Sequence, residues 1–132
     1  MNLRVGIDHL EILRITKAME NPRFLPRYFG ERELKHLEQK KFSPASVAVN
    51  FCAKEAFAKA LGTGIRGFAL REVELLREES GRPYLAFSGK AAALVKASGL
   101  RFEVSVSHDR RYALAQVIGY WEETRHADSN RR

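Results

Sequence analysis

Residues 51–65 have the residue types and spacing best suited to chemistry. They read Phe-Cys-Ala-Lys-Glu-Ala-Phe-Ala-Lys-Ala-Leu-Gly-Thr-Gly-Ile, a composition that predicts a helix. Glu55 and Lys59 are four positions apart, so they project from one helix face about one turn from each other. Because the helix is otherwise largely apolar, this pair must lie at an edge or in a cleft. The spacing alone still favours an ordinary surface ion pair, which is common and contributes little stability.

A second carboxylate, Asp8, directly follows an apolar run at residues 3–7. This run predicts a buried strand that ends at Asp8. Two carboxylates from different elements, with a lysine one turn further on, are what a magnesium–phosphate site needs. The carboxylates supply oxygen ligands for the ion, and the ammonium group balances the phosphate charge. Asp8 is equally suited to capping the next helix, so both interpretations stay open.

Two further motifs could contact a phosphate. Gly62, Thr63 and Gly64 end the predicted helix, unlike a phosphate-binding loop, which precedes a helix and uses the positive end of its dipole. Ser107 and His108 lie where a predicted strand meets a turn, so a hydroxyl and an imidazole are available there. An ordinary turn histidine is the simpler interpretation, since neither a nucleophile elbow nor zinc-ligand spacing is present.

The element that must position Glu55 and Lys59 is a long helix. Ser43 is suited to cap it, Pro44 to occupy its first position, and Gly62 to end it after residue 61. Five alanines between Ala48 and Ala60 predict close packing against a neighbouring element. We expect this helix to lie at the centre of the fold.

The rest of the chain alternates between helical and strand-like patterns. Helices are predicted at residues 10–19, 31–41 and 91–97, with an irregular stretch around Pro26 and Gly30. Strands are predicted at residues 3–7, 73–76, 84–87, 102–106 and 112–120, and residues 79–83 have the composition of a hairpin turn. Helices and antiparallel strands in separate groups predict an α+β fold, an antiparallel sheet packed with a long central helix.

Length and composition bound the class of protein. The 132 residues suit a single domain over residues 1–121, followed by a polar, mobile tail at residues 122–132. The formal net charge of +7 favours acidic partners, although the basic residues form no continuous block. Cys52 is the sole cysteine, so no intramolecular disulfide is possible, and a reducing cytoplasm is expected. The charged residues near the N-terminus argue against a secretory signal or a membrane span.

Four segments together resemble a known family, the short type of 4'-phosphopantetheinyl transferase, or holo-acyl-carrier-protein synthases. They are Gly6-Ile7-Asp8 with Glu11 and Arg14, residues 51–65, Gly81-Arg82-Pro83-Tyr84, and residues 104–108 with Tyr112-Ala113. The resemblance extends from residue 6 to about residue 118. The second of these segments is the most specific.

The resemblance implies a magnesium-dependent transfer of 4'-phosphopantetheine from coenzyme A to a serine of an apo acyl carrier protein, giving 3',5'-ADP. Asp8 and Glu55 would hold Mg²⁺, and Glu55 and Lys59 would be the catalytic residues. The coenzyme A site would be lined by Lys59, Gly62, Thr63, Gly64, Ser107 and His108. The basic surface for an acidic carrier protein would comprise Arg14, Arg23 and Arg27. The family also implies a role in fatty acid biosynthesis, within lipid metabolism, and a homotrimer with active sites between subunits.

Two positions depart from the family pattern. Many members have arginine where this chain has Asn50, so one phosphate contact is expected to differ. Some members have aspartate where this chain has Lys35, which excludes a carboxylate base at that position. Which carrier protein is modified, and whether acyl-coenzyme A is accepted, stay open at this point.

Two other function classes compete with the transferase. A nucleic-acid-binding module is compatible with the net charge, but it requires aromatic and basic residues interleaved on a sheet. Instead Phe102, Val104 and Val106 alternate with polar residues as a core face does. A non-catalytic carrier-binding subunit would not need Asp8 together with Glu55. We therefore expect no nucleic acid and no membrane among the partners.

Overall fold

The computed structural model describes residues 2–122. Within them the elements are β1 (Leu3–Glu11), α1 (Ile12–Ala18), α2 (Phe24–Tyr28), α3 (Glu31–Gln39), α4 (Pro44–Leu61), a 3₁₀ turn (Leu70–Glu72), β2 (Val73–Arg77), β3 (Pro83–Phe87), α5 (Gly89–Ser98), β4 (Leu100–His108) and β5 (Tyr112–Trp121). Apart from Glu122, the tail predicted from residue 122 onward lies outside the described residues. No helix in residues 2–122 is long and apolar enough to cross a membrane.

The strands form two antiparallel groups, which confirms the α+β class. One sheet has the order β1-β5-β4, and β2 pairs with β3 as the predicted hairpin. The inner face of the larger sheet packs on α4, whose buried residues supply much of the core. Phe102, Val104 and Val106 of β4 pack against this core, as their alternation predicts. The long helix therefore lies at the centre of the fold.

Both ends of α4 follow the sequence signals. The Ser43 hydroxyl accepts a hydrogen bond from the Ser46 backbone N–H at 3.3 Å, and Pro44 is the first helical residue. Gly62 ends the helix with φ of +92°, a left-handed conformation that favours glycine. The length and direction of α4 are thus fixed by local chemistry.

Close packing of β1 on α4 depends on a glycine. A Cβ atom at Gly6 would lie 1.9 Å from the backbone oxygen of Ala56 and 2.6 Å from the backbone nitrogen of Ala60. The strand therefore rests directly on the helix backbone, as the alanine content of α4 predicts. This contact places Asp8, two residues after Gly6, over the same stretch of helix.

Two predictions about the first thirty residues are wrong. The first strand is not buried, nor does it end at Asp8: β1 pairs with β5 as far as Glu11, and α1 begins only at Ile12. The long partner strand extends β1, because each added residue gains ladder hydrogen bonds. The stretch around Pro26 is also helical, since Pro26 lies in the first turn of α2, where its missing N–H has no helical partner.

The outer face of the larger sheet, called the outer sheet face below, is largely apolar along β1 and β5 but polar along β4, and it is uncovered in the described chain. Its largest exposed side chains are Leu3, Val5, Ile7, Tyr112 and Leu114. Val5 and Ile7 keep 56% and 52% of their surface exposed, which is high for aliphatic residues inside a strand. An apolar sheet face of this kind is characteristic of an interface.

Candidate active site

The packing of β1 on α4 brings Asp8, Glu55 and Lys59 together. The Lys59 ammonium group lies 3.4 Å from Oδ1 of Asp8 and donates a hydrogen bond to the backbone oxygen of Ile7 at 2.9 Å. Lys59 thus bonds to the strand across from it, and the ion pairs of residues 2–122 do not include the Glu55–Lys59 pair that the helical spacing suggests. The three residues that sequence reasoning placed in one site are neighbours in the structure.

The electrostatics of this site are dominated by two carboxylates. Burial raises the pKa of Glu55 above its usual value, and the negative charge of Asp8 raises it further, while Lys59 partly opposes both. The thiol of Cys52, buried beneath, also has a raised pKa, caused first by burial and then by Asp8. One lysine therefore does not fully balance the negative charge here, so a bound cation would be stabilised.

The donor set fits a magnesium ion that is completed by substrate. Among residues 2–122, no group of three or more His, Cys, Asp or Glu side chains is arranged to hold a metal by itself. Mg²⁺ in proteins is commonly held by one or two carboxylates together with substrate phosphates and waters. Asp8 and Glu55 supply two such carboxylates, and Lys59 can contact a phosphate beside them.

The C-terminal end of α4 is open to solvent next to Lys59. Gly62, Thr63 and Gly64 are all exposed, and Gly64 has φ of +63°. The Thr63 hydroxyl donates to the backbone oxygen of Gly64 at 3.0 Å. This turn is therefore available to a ligand that approaches Lys59.

A second feature beside Glu55 is an aromatic cleft of about 580 Å³. It is lined by Phe24, Arg27, Tyr28, Phe51, Glu55, Ile65, Phe68, Ala69, Leu70 and Arg71. The ring centroids of Phe24 and Phe51 are 6.0 Å apart, and those of Tyr28 and Phe51 are 5.9 Å apart. Sequence reasoning missed this cleft because α2 was not predicted. The signal was the spacing of Phe24 and Tyr28, which are four residues apart.

Two of the three predicted docking arginines, Arg23 and Arg27, lie together at α2. Arg27 borders the aromatic cleft, and its guanidinium group lies 5.5 Å from the ring centroid of Tyr28. Arg23 and Arg27 both border a smaller cleft between α1 and α2, and Arg14 is exposed on α1. The structure therefore connects a basic rim with an apolar floor next to Glu55.

The structure does not bring Ser107 and His108 to Glu55 within one chain. His108 instead borders a different cleft of about 400 Å³, called the basic cleft below. This cleft is lined by His36, Leu37, Lys40, Ser46, Val49, Asn50, Arg77, Glu78, Gly81 and His108. Ser107 is exposed at the register position opposite Leu114, which in turn pairs with His9. Within the described chain, His108 and Glu55 therefore border different clefts.

A fully buried ion pair between Lys54 of α4 and Glu33 of α3, which the sequence analysis did not predict, holds the two helices together. The Lys54 ammonium group contacts the Glu33 carboxylate and donates to the backbone oxygen of Leu70 at 3.2 Å. The other Glu33 oxygen accepts from the Asn50 amide at 2.9 Å and from the Leu75 N–H at 3.2 Å. Burial lowers the pKa of Lys54 and raises that of Glu33, while the contact between them opposes both shifts. The network joins α3, α4 and β2.

Comparisons with known proteins place this arrangement in a family. A family model described as the 4'-phosphopantetheinyl transferase superfamily matches residues 4–117. The holo-[acyl-carrier-protein] synthase of Clostridium botulinum (strain Alaska E43 / Type E3) is 41% identical over 115 residues, 86% of this chain and 94% of that protein. The relative and this chain therefore match over nearly their full lengths.

Solved structures agree with this family assignment. The holo-[acyl-carrier-protein] synthase of Neisseria meningitidis matches with a TM-score of 0.83 at 29% identity, covering 89% of this chain and 97% of that one. The ACPS-CoA complex of Chronobacterium ammoniagenes matches with a TM-score of 0.81 at 26% identity, covering 93% of this chain and all (100%) of that one. The α+β arrangement described above is thus shared with structures of that family.

Proposed function

The chain belongs to the 4'-phosphopantetheinyl transferase superfamily, and from this premise we propose that it is a holo-[acyl-carrier-protein] synthase. It transfers 4'-phosphopantetheine from coenzyme A to a serine of an apo acyl carrier protein, which yields the holo carrier protein and 3',5'-ADP. The observation that carries this proposal is the contact of Lys59 with Asp8 beside Glu55, in a chain with that family match. Residues 1–121 act as the single transferase domain. The one cysteine, Cys52, is a free thiol, which is compatible with a location in the reducing cytoplasm.

Asp8 and Glu55 would hold Mg²⁺ in this site, where both carboxylates lie beside Lys59. When bound, the ion supplies Lewis-acid polarisation of a phosphoryl oxygen. Lys59 reaches the same region and balances the negative charge that develops on the phosphate or the leaving group. The uncompensated carboxylate charge described above supports this assignment.

The reaction is a displacement at the β-phosphorus of coenzyme A. The serine oxygen of the carrier protein forms a bond to that phosphorus, and the bond from phosphorus to the bridging oxygen breaks, so 3',5'-ADP departs. Glu55 accepts the serine proton, a role supported by its position at the edge of the aromatic cleft. Lys35 is exposed on α3 and offers no carboxylate for this step.

The acyl carrier protein binds over the aromatic cleft. The apolar floor, which includes Phe24 and Phe51, suits the apolar side of a helix, and Arg14, Arg23 and Arg27 suit acidic residues at its edge. Glu55 is part of the same cleft, so a serine carried on that helix would arrive beside the proton acceptor. Arginines at such a rim mainly raise the rate of encounter.

Three copies of the chain assemble through the outer sheet face. The exposed aliphatic side chains of Val5 and Ile7 support an interface there, because water contact with this surface is unfavourable. The position of His108 in a separate cleft supports active sites between subunits, in which Ser107 and His108 of one copy complete the coenzyme site of another.

Transfer is tested with an apo acyl carrier protein, coenzyme A and Mg²⁺, weighing the carrier by mass spectrometry. We expect the mass of one phosphopantetheine group to be added, and no addition when the metal is chelated. An unchanged carrier mass in the complete mixture would contradict the proposed function. A carrier of fatty acid synthesis and one of secondary metabolism, compared at equal concentration, identify which is modified.

Assembly is tested by light scattering and by mixing two variants. A trimer mass is expected in solution. Mixed after joint refolding, Glu55→Gln and His108→Ala should together give more activity than the mean of the two variants alone, because some mixed sites contain neither change. Activity equal to that mean would show that each site is formed within one chain.

A further inference from the structure

A second arginine, Arg71, borders the aromatic cleft and comes from a different part of the chain than Arg27. Arg27 belongs to α2, whereas Arg71 lies in the 3₁₀ turn that precedes β2. Glu55 of α4 is the third charged residue that lines the cleft. Positive charge from two separate segments therefore borders the cleft that contains the proposed proton acceptor.

The charge of Arg71 is not paired within the described chain. Its side chain is exposed, and the ion pairs among residues 2–122 do not include it. Arg71 also borders a neighbouring cleft that contains the carboxylates of Glu31, Glu72 and Glu74. Glu72 instead accepts hydrogen bonds from three backbone N–H groups at 3.0, 3.2 and 3.3 Å, and Glu74 pairs with Arg32 at 3.1 Å. The Arg71 guanidinium group therefore keeps its N–H donors for a ligand.

The backbone on both sides of Arg71 is held in place. The backbone oxygen of Leu70 accepts a hydrogen bond from the buried ammonium group of Lys54 at 3.2 Å. The Glu72 N–H donates to the backbone oxygen of Ala69 at 2.9 Å. Because an anchored turn loses little conformational freedom when a partner binds, Arg71 is suited to hold a partner group at a fixed position.

The proposed carrier protein matches this arrangement of charge. The acidic helix that carries the serine would contact Arg23 and Arg27 at α2. Arg71 offers a separate contact to the same helix, and its planar guanidinium group can bind a carboxylate through two N–H groups. Contacts from two segments hold a helix in one position along a cleft, whereas contacts from one segment leave it able to slide or rotate.

We propose that Arg71 is a specificity-determining residue for the carrier protein. It binds one carboxylate of the carrier helix, other than those that Arg23 and Arg27 bind, and so fixes the position in which the serine meets Glu55. This inference rests on the proposed function, and it adds a residue that neither the sequence motifs nor the family resemblance assigned. Because Arg71 does not border the basic cleft, a change at Arg71 should leave that cleft as it is.

The first measurement is steady-state transfer with apo carrier protein, coenzyme A and Mg²⁺. Arg71→Glu should lower kcat/KM for the carrier protein by about tenfold at low salt, the loss typical of a charged hydrogen bond, with the KM for coenzyme A within about twofold of the natural value. Arg71→Lys should lose about threefold, because lysine keeps the charge but not the fork. Lys96→Glu, the same charge change on exposed α5 away from the cleft, should match the natural protein.

A charge-swap experiment then identifies the contact. Each acidic residue of the serine-bearing carrier helix is changed to lysine in turn, and each carrier variant is assayed with the natural protein, Arg27→Glu and Arg71→Glu. One carrier variant should be modified about fivefold faster by Arg71→Glu than by the natural protein, and it should differ from the one that restores Arg27→Glu.

Four results would overturn the proposal: an unchanged kcat/KM in Arg71→Glu, an equal rise in the KM for coenzyme A, no restoring carrier variant, or the same carrier variant restoring both Arg27→Glu and Arg71→Glu. Failure of the proposed function is distinct, since the natural protein would then modify no carrier protein at all.

Discussion

Lys54 and Glu55 are adjacent in the chain, yet the two sides of α4 use their charges in opposite ways. Lys54 is fully buried, and its ammonium group is surrounded by the Glu33 carboxylate and backbone oxygens. Glu55 is half-buried next to the like charge of Asp8, with only Lys59 to oppose it. The charge of Lys54 is balanced within the chain. The carboxylate charge around Glu55 is not fully balanced, so a cation could bind there.

The difference separates two roles that look alike in sequence. A buried, paired charge fixes the packing of α3 and β2 against α4. If one partner is removed, the other charge stays buried away from water without a counter-charge. An incompletely paired charge at a cleft contributes nothing to the fold and can bind a cation and a phosphate. Changes on the two sides of α4 should therefore affect different measurements.

The largest expected effect is a loss of activity when the carboxylates on the Glu55 side of α4 are changed. Asp8→Asn and Glu55→Gln should each lower kcat by about a thousandfold, or about 4 kcal/mol in the barrier, because each removes a carboxylate proposed to hold the metal. The circular dichroism spectrum should be unchanged. Steady-state transfer assays with apo carrier protein measure the loss. Near-normal turnover in both variants would mean that the metal site lies elsewhere.

The next effect is on stability, at the buried side. Lys54→Ala should lower the free energy of unfolding by about 3–5 kcal/mol, because it leaves Glu33 buried without its partner. Replacing both residues, as Lys54→Met with Glu33→Gln, should recover part of this loss, because the amide oxygen can still accept from Asn50 and from the Leu75 N–H. Urea denaturation measures each value. If the single variant unfolded like the natural protein, the pair would not support the fold, and the contrast with Glu55 would disappear.

A smaller effect is expected at the rim of the aromatic cleft. Arg27→Glu should lower kcat/KM for the carrier protein by about tenfold at low salt, with kcat little changed, because rim charges act on the encounter. The difference from the natural protein should shrink at about 0.5 M salt, where exposed charges are screened. Lys96→Glu, the same charge change on exposed α5, is the control. An equal loss in the control would indicate an effect of net charge alone.

The smallest expected effect is a pH-dependent change in the stability of the protein, caused by Glu55. Because the folded-state pKa of Glu55 is raised above its ordinary value of about 4.5, the folded chain holds this proton more tightly than the unfolded chain. The group therefore lowers stability as pH rises from about 4.5 through the raised value. Glu55→Gln should be more stable than the natural protein near pH 7.5, by less than about 1 kcal/mol because solvent screens a half-exposed group.

Thermal melts from about pH 4 to pH 8 test this sign, since the gain should disappear at the acid end. Added Mg²⁺ with 3',5'-ADP should raise the Tm of the natural protein more than that of Glu55→Gln, by mass action. A variant that is less stable than the natural protein at every pH would show that Glu55 supports the fold after all.

Much of the fold could be predicted because its signals are local. Ser43 and Gly62 specify the ends of α4, and alternating residues in β4 specify its core face. The course of β1 could not be predicted in the same way. It is extended to Glu11 by pairing with β5, a partner about a hundred residues later in the chain, and no local pattern contains that partner.

The candidate site was predictable only in part. Glu55 and Lys59 are close because of helix spacing, but the position of Asp8 against them follows from tertiary packing. The residue types left a shared site and a helix cap both open for Asp8, and the family resemblance favoured the shared site. The buried network was missed because Lys54 lies in the same charged segment as Glu55, while its partner Glu33 lies 21 positions earlier. Which of two adjacent charges is buried depends on what packs against each face.

The contact of Gly6 with Ala56 and Ala60 has a consequence for how this protein can change over evolutionary time. The offset of Asp8 from Glu55 is set by one backbone resting on another, with no side chain between them to be exchanged for a larger or smaller one. Surface loops and the rim arginines can drift as partners change. The spacing of the two carboxylates proposed to bind the metal cannot be adjusted in small steps, so we expect specificity to diversify around a centre that stays geometrically constant.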